Sequence, residues 1–177
     1  MKFRIRPFEE RDTRELGEIR RMKGVRETIP TLSSECFAFT EELVKNTPTS
    51  HPNLCAVADM EDGSEKVIGN ALLRLTEKAK MRHTGTLAIT VHAGYQNMGV
   101  GRALLTELLR IADDDLMLVR VSLEVAEENA RAIHLYESLG FEREGLLKYA
   151  YTESGKYKNL IVMGRYRLPG CAGEKSA

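Results

Sequence analysis

Only three cysteines occur in 177 residues (Cys36, Cys55 and Cys171), and no two are closely spaced. That leaves nothing from which to build a disulfide framework or a zinc site. Net charge is missing too: 26 Lys and Arg balance 26 Asp and Glu. A nucleic-acid protein that works through a strong overall positive field is therefore excluded. No apolar run approaches the ~20 residues needed to cross a membrane. Glu9 and Glu10 arrive before any apolar run develops, so no standard signal peptide is expected. No repeat, low-complexity tract or linker divides the chain. A reduced, soluble, cytoplasmic protein is the expectation.

What is present is ordinary globular material. The chain is 42% apolar and long enough for one domain. Charge is uneven along it: residues 1–30 hold nine basic and six acidic residues, whereas 107–128 hold seven acidic and two basic. Phe3 and Ile5 alternate with charged residues in a short strand that Pro7 ends. Asp12 and Glu15 form a capping pair for a helix with Leu16, Ile19 and Met22 on one face. A second helix is predicted over Ser34–Asn46, with Phe37, Leu43 and Val44 inward. Leu54–Met60 and Lys66–Thr76 make a hairpin around Glu61-Asp62-Gly63-Ser64.

Gly85–Val91 is the next strand, and a helix opens near Gly99 with Leu104, Leu105, Leu108, Leu109 and Ile111 as its apolar stripe. Leu116–Val125 follows as a buried strand, then a helix over Asn129–Leu139 closed by Gly140. Strands near Phe141–Thr152 and Tyr157–Arg167 finish the domain, and residues 168–177 form a loose tail. Strand, helix and strand over 85–125 make a β-α-β unit, so its two strands run parallel, while the flanking hairpins are antiparallel. The fold class is α/β: a mixed, mostly antiparallel sheet of about seven strands flanked by helices.

The chemistry concentrates in Gln96-Asn97-Met98-Gly99-Val100-Gly101-Arg102-Ala103. Two glycines let a ligand approach backbone closely at the start of a helix. Unpaired N–H groups and the helix dipole there seat a phosphate or diphosphate, and Arg102 adds a charge-assisted contact. A Rossmann loop is disfavoured because Leu104 stands where its third Gly or Ala belongs. A P-loop is disfavoured because Gly101-Arg102-Ala103 lacks Gly-Lys-Ser/Thr.

Gln-x-x-Gly-x-Gly-x-Ala after a strand resembles the acyl-CoA signature of the GCN5-related N-acetyltransferases. Asn129-Ala130-Arg131-Ala132-Ile133 and Leu135-Tyr136-Glu137-Ser138-Leu139-Gly140-Phe141 extend the match in the right order. The element order resembles that family over residues 1 to about 167, and Gly140 to Gly145 with the closing hairpin is most similar to its phosphinothricin and amino-acid branch. The resemblance implies an N-acetyltransferase domain over 1–167 in which the central parallel strands splay at one end. The pantetheine arm of acetyl-CoA, the co-substrate, would lie between them, with no metal. The backbone of Val91 would pair with pantetheine amides. Amides of Met98, Gly99, Val100, Gly101 and Arg102 would bind the diphosphate, with the Gln96 side chain nearby. Asn129 would bond the pantetheine, although Asn is equally a favoured N-cap. Tyr136 would protonate the departing thiolate, its bland alternative being packing with Ile133 and Leu139.

The base is less plain. Members of the family often carry a glutamate on the first splayed strand, yet residues 86–91 contain no acid. His83, just before that strand, is the first candidate, acting directly or through water. Glu124 and His92 are the others, while His51 and His134 read as structural or solvent-facing. The α-amine of a peptide, with a pKa near 8, costs only about 1.4 kcal/mol to deprotonate at pH 7, against ~4.6 for a lysine amine. A weak base therefore suffices for an α-amine acceptor. The loop Arg26–Leu32 and the last hairpin, with Tyr149, Tyr151 and Tyr157, are expected to wall the acceptor pocket, and Glu27 and Glu153 to attract a cationic amine. The function expected is direct acetyl transfer to a primary amine of a small molecule such as an amino acid. The alternatives are a peptide or protein N-terminal acetyltransferase and a non-catalytic acyl-CoA sensor. A third possibility is a sheet-edge homodimer in which the site is incidental, although no residue fixes an interface.

Overall fold

A computed structural model describes residues 2–29, 31 and 34–167. Residues 168–177, expected as a loose tail and containing Cys171, lie outside them, as do Pro30 and Leu32 of the expected acceptor loop. Seven strands form one sheet: β1 (Phe3–Pro7), β2 (Asn53–Asp59), β3 (Glu65–Leu75), β4 (Thr84–Val91), β5 (Arg120–Ala126), β6 (Glu142–Glu153) and β7 (Lys156–Tyr166). Their spatial order is β1-β2-β3-β4-β5-β7-β6, and every pairing is antiparallel except β4 with β5. Helices α1 (Thr13–Arg21) and α2 (Phe37–Lys45) precede β2, while α3 (Val100–Arg110) and α4 (Ala130–Glu137) flank β5 in sequence.

The larger core joins Leu104, Leu105 and Leu108 of α3 to Ile68, Leu73, Leu87, Val121 and Leu123 of the sheet. A smaller core on the other face sets Ile19 of α1 and Val25 against Cys55, Val57 and Val67. One sequence of strands serves both cores because alternate residues face opposite sides of a sheet.

Three boundaries differ from expectation. Asp12 does not cap α1. Its carboxylate accepts the Glu9 N–H in a capping box one turn earlier and receives a bidentate pair from Arg6 at 2.7 and 2.8 Å. Glu15 instead accepts the Val67 N–H at 2.8 Å, tying α1 to the sheet. Helix α2 starts at Phe37 rather than Ser34, because Glu35 is drawn out of any helical turn by Arg20. Strand β5 starts at Arg120 rather than Leu116, because Ile111–Asp115 continues α3 as a π-helical turn and the Leu118 N–H still bonds Ala112.

Candidate active site

The parallel pair touches over only three rows, Thr84 with Arg120, Gly85 with Val121 and Thr86 with Ser122. Beyond them β4 runs on to Val91 and β5 to Ala126 without pairing, so the two strands diverge. Backbone direction decides what faces that opening. The His92 N–H bonds Ile68 on β3, so by strand alternation Thr90 also turns to β3, and Ile89 and Val91 turn toward the gap. Likewise the Glu127 N–H bonds Asn159 on the β7 side, which leaves the backbone of Glu124 and Ala126 facing the gap from β5. Peptide groups along a divergent pair must find another partner, and an extended ligand lying as an added strand supplies one.

The loop beyond β4 completes the opening. Asn97 (φ 63°) and Gly99 (φ 83°) are both left-handed and bracket Met98, a turn that gathers successive N–H groups on one side. Gly99 is the N-cap of α3 and carries no side chain, and no side chain caps that helix. The first-turn N–H groups from Val100 to Arg102 are therefore open. Gly101 stands where a Cβ would lie 3.4 Å from Leu135 and 3.8 Å from Ile89 and Val91. Such a methyl fits the fold but occupies the crevice itself. At the facing end of α4, Asn129 Oδ1 caps the helix by accepting the Ala132 N–H at 3.2 Å.

These parts enclose a cleft of about 310 Å³ lined, among others, by Val91, Gln96, Gly99, Gly101, Arg102, Asn129 and Tyr136. A profile of the acetyltransferase (GNAT) family matches residues 24–141, which takes in the splayed strands, the loop and α4. The chain belongs to the GNAT acetyltransferase family. It is 31% identical over 101 residues to the L-amino acid N-acetyltransferase AaaT of Escherichia coli, covering 57% of this chain and 62% of that one. It is 32% identical over 104 residues to the spermidine N(1)-acetyltransferase of Vibrio cholerae, covering 59% of each. The chain thus matches about three fifths of the length of these relatives. In fold it is similar to a phosphinothricin acetyltransferase from Sinorhizobium meliloti in complex with AcCoA, with a TM-score of 0.82 at 23% identity, covering 99% of this chain and 94% of that one.

Within this GNAT fold, the residues expected at the site divide sharply. Tyr136 is 7% exposed, packs on Phe141 with ring centroids 5.9 Å apart, and burial pushes its phenol up to about 12. It is held as a neutral O–H at any ordinary pH. Gln96 braces the site: its Nε2 donates to the Val91 carbonyl at 3.3 Å and its Oε1 accepts from Arg131 at 2.8 Å. The Val91 N–H is left for a ligand, and its carbonyl keeps a second lone pair beside the Gln96 bond. Met98 and Val100 do not line the cleft, one being exposed and the other buried in the core, so each offers only backbone. Arg102 lines it while donating to Ser138 Oγ at 2.9 Å.

His83 is not brought to the cleft. It is exposed at the opposite end of β4, where its carbonyl accepts from Val119 and Arg120. At about 3.3 Å per residue, eight residues put it some 26 Å from Val91. His92 lies closer, but its Nδ1 accepts the Gly94 N–H at 3.0 Å, and burial with the charge of Lys66 holds its pKa low. Glu124 lies on the α1 face of the sheet, since it follows Ser122, whose hydroxyl sits 3.5 Å from Thr86 on that same face. Among the described residues it has no hydrogen-bond or ion-pair partner.

The acceptor side differs in part from expectation. Val25, Thr28 and Ile29 of the α1–α2 loop do line the cleft beside Thr90. Tyr149 and Tyr157 do not: 74% and 72% exposed, they pack edge-to-face on each other at 6.1 Å. Glu27 is turned to local work, accepting the Gly24 N–H at 2.6 Å and pairing with Arg26. Arg131, which the sequence offers only as part of the Asn129–Ile133 run, and His134, read there as structural or solvent-facing, both stand at the cleft. The signal for Arg131 was its place two residues after the capping Asn129, in the first turn of α4.

Proposed function

We propose that this chain is an acetyl-CoA-dependent N-acetyltransferase acting by direct attack of a primary amine, the acceptor being a small zwitterion such as an amino acid. One observation carries the reading. A single cleft holds unpaired β4 backbone, an uncapped helix N-terminus and a buried phenol. Amides from Met98 to Arg102 with the Arg102 guanidinium take the diphosphate, and the backbone at Val91 with Asn129 takes the pantetheine. Acetyl-CoA then supplies an activated acyl group at the point of the splay.

Glu124 receives the proton that the acceptor ammonium must lose, since it is an acid on the acceptor face with no side-chain partner among the described residues, and its backbone borders the gap. The ammonium of a zwitterion is held by its own carboxylate, so at pH 7 that step costs more than the ~1.4 kcal/mol of a peptide α-amine and less than the ~4.6 kcal/mol of a lysine, and a carboxylate acting directly or through one water assists it. Tyr136 delivers a proton to the departing sulfur. Burial keeps the phenol protonated at working pH, so Tyr136 meets the sulfur as a hydrogen-bond and proton donor and not as a base.

Relatives named for amino acids and for spermidine match about equally well, so the acceptor class rests on charge carried by the sheet face next to the cleft. Arg74 pairs in register with Thr86 and so shares the face of Ser122 and Glu124. It is exposed and, with Arg82, is one of two arginines lacking a hydrogen-bond or ion-pair partner among the described residues. Arg74 and Glu124, opposite charges on one face, suit a zwitterion better than a polycation.

The test is thiol release from acetyl-CoA with L-leucine, 3-methylbutylamine (the same amine without its carboxylate), spermidine and a short peptide. L-leucine is expected to react fastest, and Arg74→Gln to close the gap to 3-methylbutylamine. Acetyl-CoA binding with no thiol released from any amine would assign the chain to acyl-CoA sensing instead.

A further inference from the structure

The wall that Val25, Thr28 and Ile29 present to the cleft belongs to the connection between α1 and α2, in which the 3-10 turn Arg26–Thr28 is the regular element among the described residues. Its start is fixed by backbone bonds from Val25 and Arg26 to the Met22 carbonyl and by Val25 buried in the small core. Its end is fixed by Glu35. Arg20 Nε and Nη2 donate to the two Glu35 oxygens at 2.9 and 3.1 Å, and Thr40 Oγ1 adds a bond at 3.4 Å. The pair is buried, with side chains 11% and 7% exposed, and the Arg20 guanidinium lies 5.9 Å from the Phe39 ring centre. Burial alone would raise the Glu35 carboxyl, but Arg20 with Thr31 and Thr40 holds it below its ordinary value.

The other well-buried pairs join regular elements or the turns that extend them: Arg6 of β1 with Asp12, and Arg165 of β7 with Asp113. Arg20–Glu35 instead ties a residue outside both helices, two before the start of α2, to α1. A bidentate fork fixes both distance and plane, which an ammonium cannot do.

The wall held in this way carries no charge toward the cleft. Thr28 spends its hydroxyl on the Val25 carbonyl at 2.7 Å, and Glu27 is occupied by the Gly24 N–H and Arg26. Val25 and Ile29 are apolar. An acceptor arm lying against them loses nothing if it is a short hydrocarbon, whereas a second ammonium there is desolvated without a partner.

We propose that Arg20–Glu35 is a positioning pair for acceptor recognition: it fixes the 25–29 wall so that the site takes amines with a short apolar arm and rejects polycationic ones. This rests on acetyl transfer at the cleft, as argued above. The experiment compares kcat/KM for L-leucine and spermidine in wild-type protein, Arg20→Lys, Glu35→Gln and the exchange R20E/E35R, with acetyl-CoA affinity measured by calorimetry. Arg20→Lys and Glu35→Gln are expected to raise the L-leucine KM about tenfold, the loss of roughly one charge-assisted bond. The leucine-to-spermidine ratio falls with it, while kcat and acetyl-CoA affinity stay within about twofold. The exchange restores part of the ratio.

Ile29→Asp probes the wall directly and leaves the pair intact; it should shift the ratio toward spermidine. An unmoved ratio in Arg20→Lys and Ile29→Asp overturns the inference while leaving acetyl transfer standing. A wild-type protein that binds acetyl-CoA but acetylates neither amine removes acetyl transfer, and this inference with it. Equal loss of kcat and acetyl-CoA affinity in Arg20→Lys reduces the pair to general stability and also overturns it.

Discussion

Replacing Gly101 by alanine separates two accounts of the same glycine. Gly101 sits inside the first turn of α3, and a Cβ built there meets Leu135 at 3.4 Å and Ile89 and Val91 at 3.8 Å. Those are ordinary contacts, so the fold accepts the methyl. If the glycine matters only to the helix, alanine is an improvement worth roughly 0.5–1 kcal/mol. For a chain of this size that raises the melting temperature by about 1–4 °C. If the open N–H groups seat a diphosphate, the same methyl stands in the crevice and holds the anion off. Losing one charge-assisted bond costs about 1.5–3 kcal/mol, a roughly ten- to hundredfold weaker Kd for acetyl-CoA. Calorimetric titration beside a thermal melt reads both numbers on one sample. A variant that is slightly more stable yet binds acetyl-CoA far more weakly is the predicted outcome. Unchanged affinity in a stable Gly101→Ala protein would refute the placement of the diphosphate.

Tyr136→Phe should lower kcat by about two orders of magnitude, the usual scale for losing a general acid, with acetyl-CoA affinity nearly unchanged. Since burial pushes this phenol up to about 12, the wild-type rate should rise with pH as the amine deprotonates and show no falling limb near pH 10; such a limb would contradict the burial. Glu124→Gln should reduce kcat for L-leucine by about tenfold or more while leaving acetyl-CoA binding intact, and equal kcat would remove Glu124 as the base. Asp12→Ala should cost about 3 kcal/mol in urea unfolding, because it leaves the Arg6 guanidinium, 17% exposed, without its bidentate partner. Burial would push Asp12 up, yet Arg6 and the Glu9 N–H bring it below the usual carboxylate value. Its contribution is therefore complete above the ordinary carboxylate pKa of about 4 and disappears as pH falls through the folded value. An acid-unfolding curve equally steep in wild type and Asp12→Ala would count against this.

Local pattern carried most of the fold. The helix-period leucines of α3 between two strand-like runs dictate a parallel pair, and the turn Glu61-Asp62-Gly63-Ser64 places β2 against β3. Errors fell where a distant partner decides. Asp12 reads as a helix cap until Arg6 claims it, and Glu35 reads as the first turn of α2 until Arg20 draws it away. Leu116 to Val119 is as apolar as any strand, but the π-helical turn before it keeps the chain from joining the sheet until Arg120.

At the site, spacing puts the glycine loop at a helix start and Tyr136 on a helix face, and only the family resemblance gave those positions a coenzyme and a sulfur to meet. The base was not. Adjacency to β4 made His83 attractive, although strand rise puts it at the wrong end. Which face Glu124 shares with the acceptor depends on where the smaller core sits. The tyrosines of the closing hairpin look like a pocket wall in sequence, yet Tyr149 and Tyr157 find each other across β6 and β7 instead.

The most direct test of the central claim is an amide-resolved NMR titration of the protein with acetyl-CoA. Large shifts confined to Met98–Arg102, Ile89–Val91 and the start of α4 are predicted, with Tyr136 following as the acyl end seats. Shifts gathered instead along the larger groove of about 1010 Å³ by Phe8, Phe37 and Ile111, with the 98–102 amides unmoved, would contradict the account.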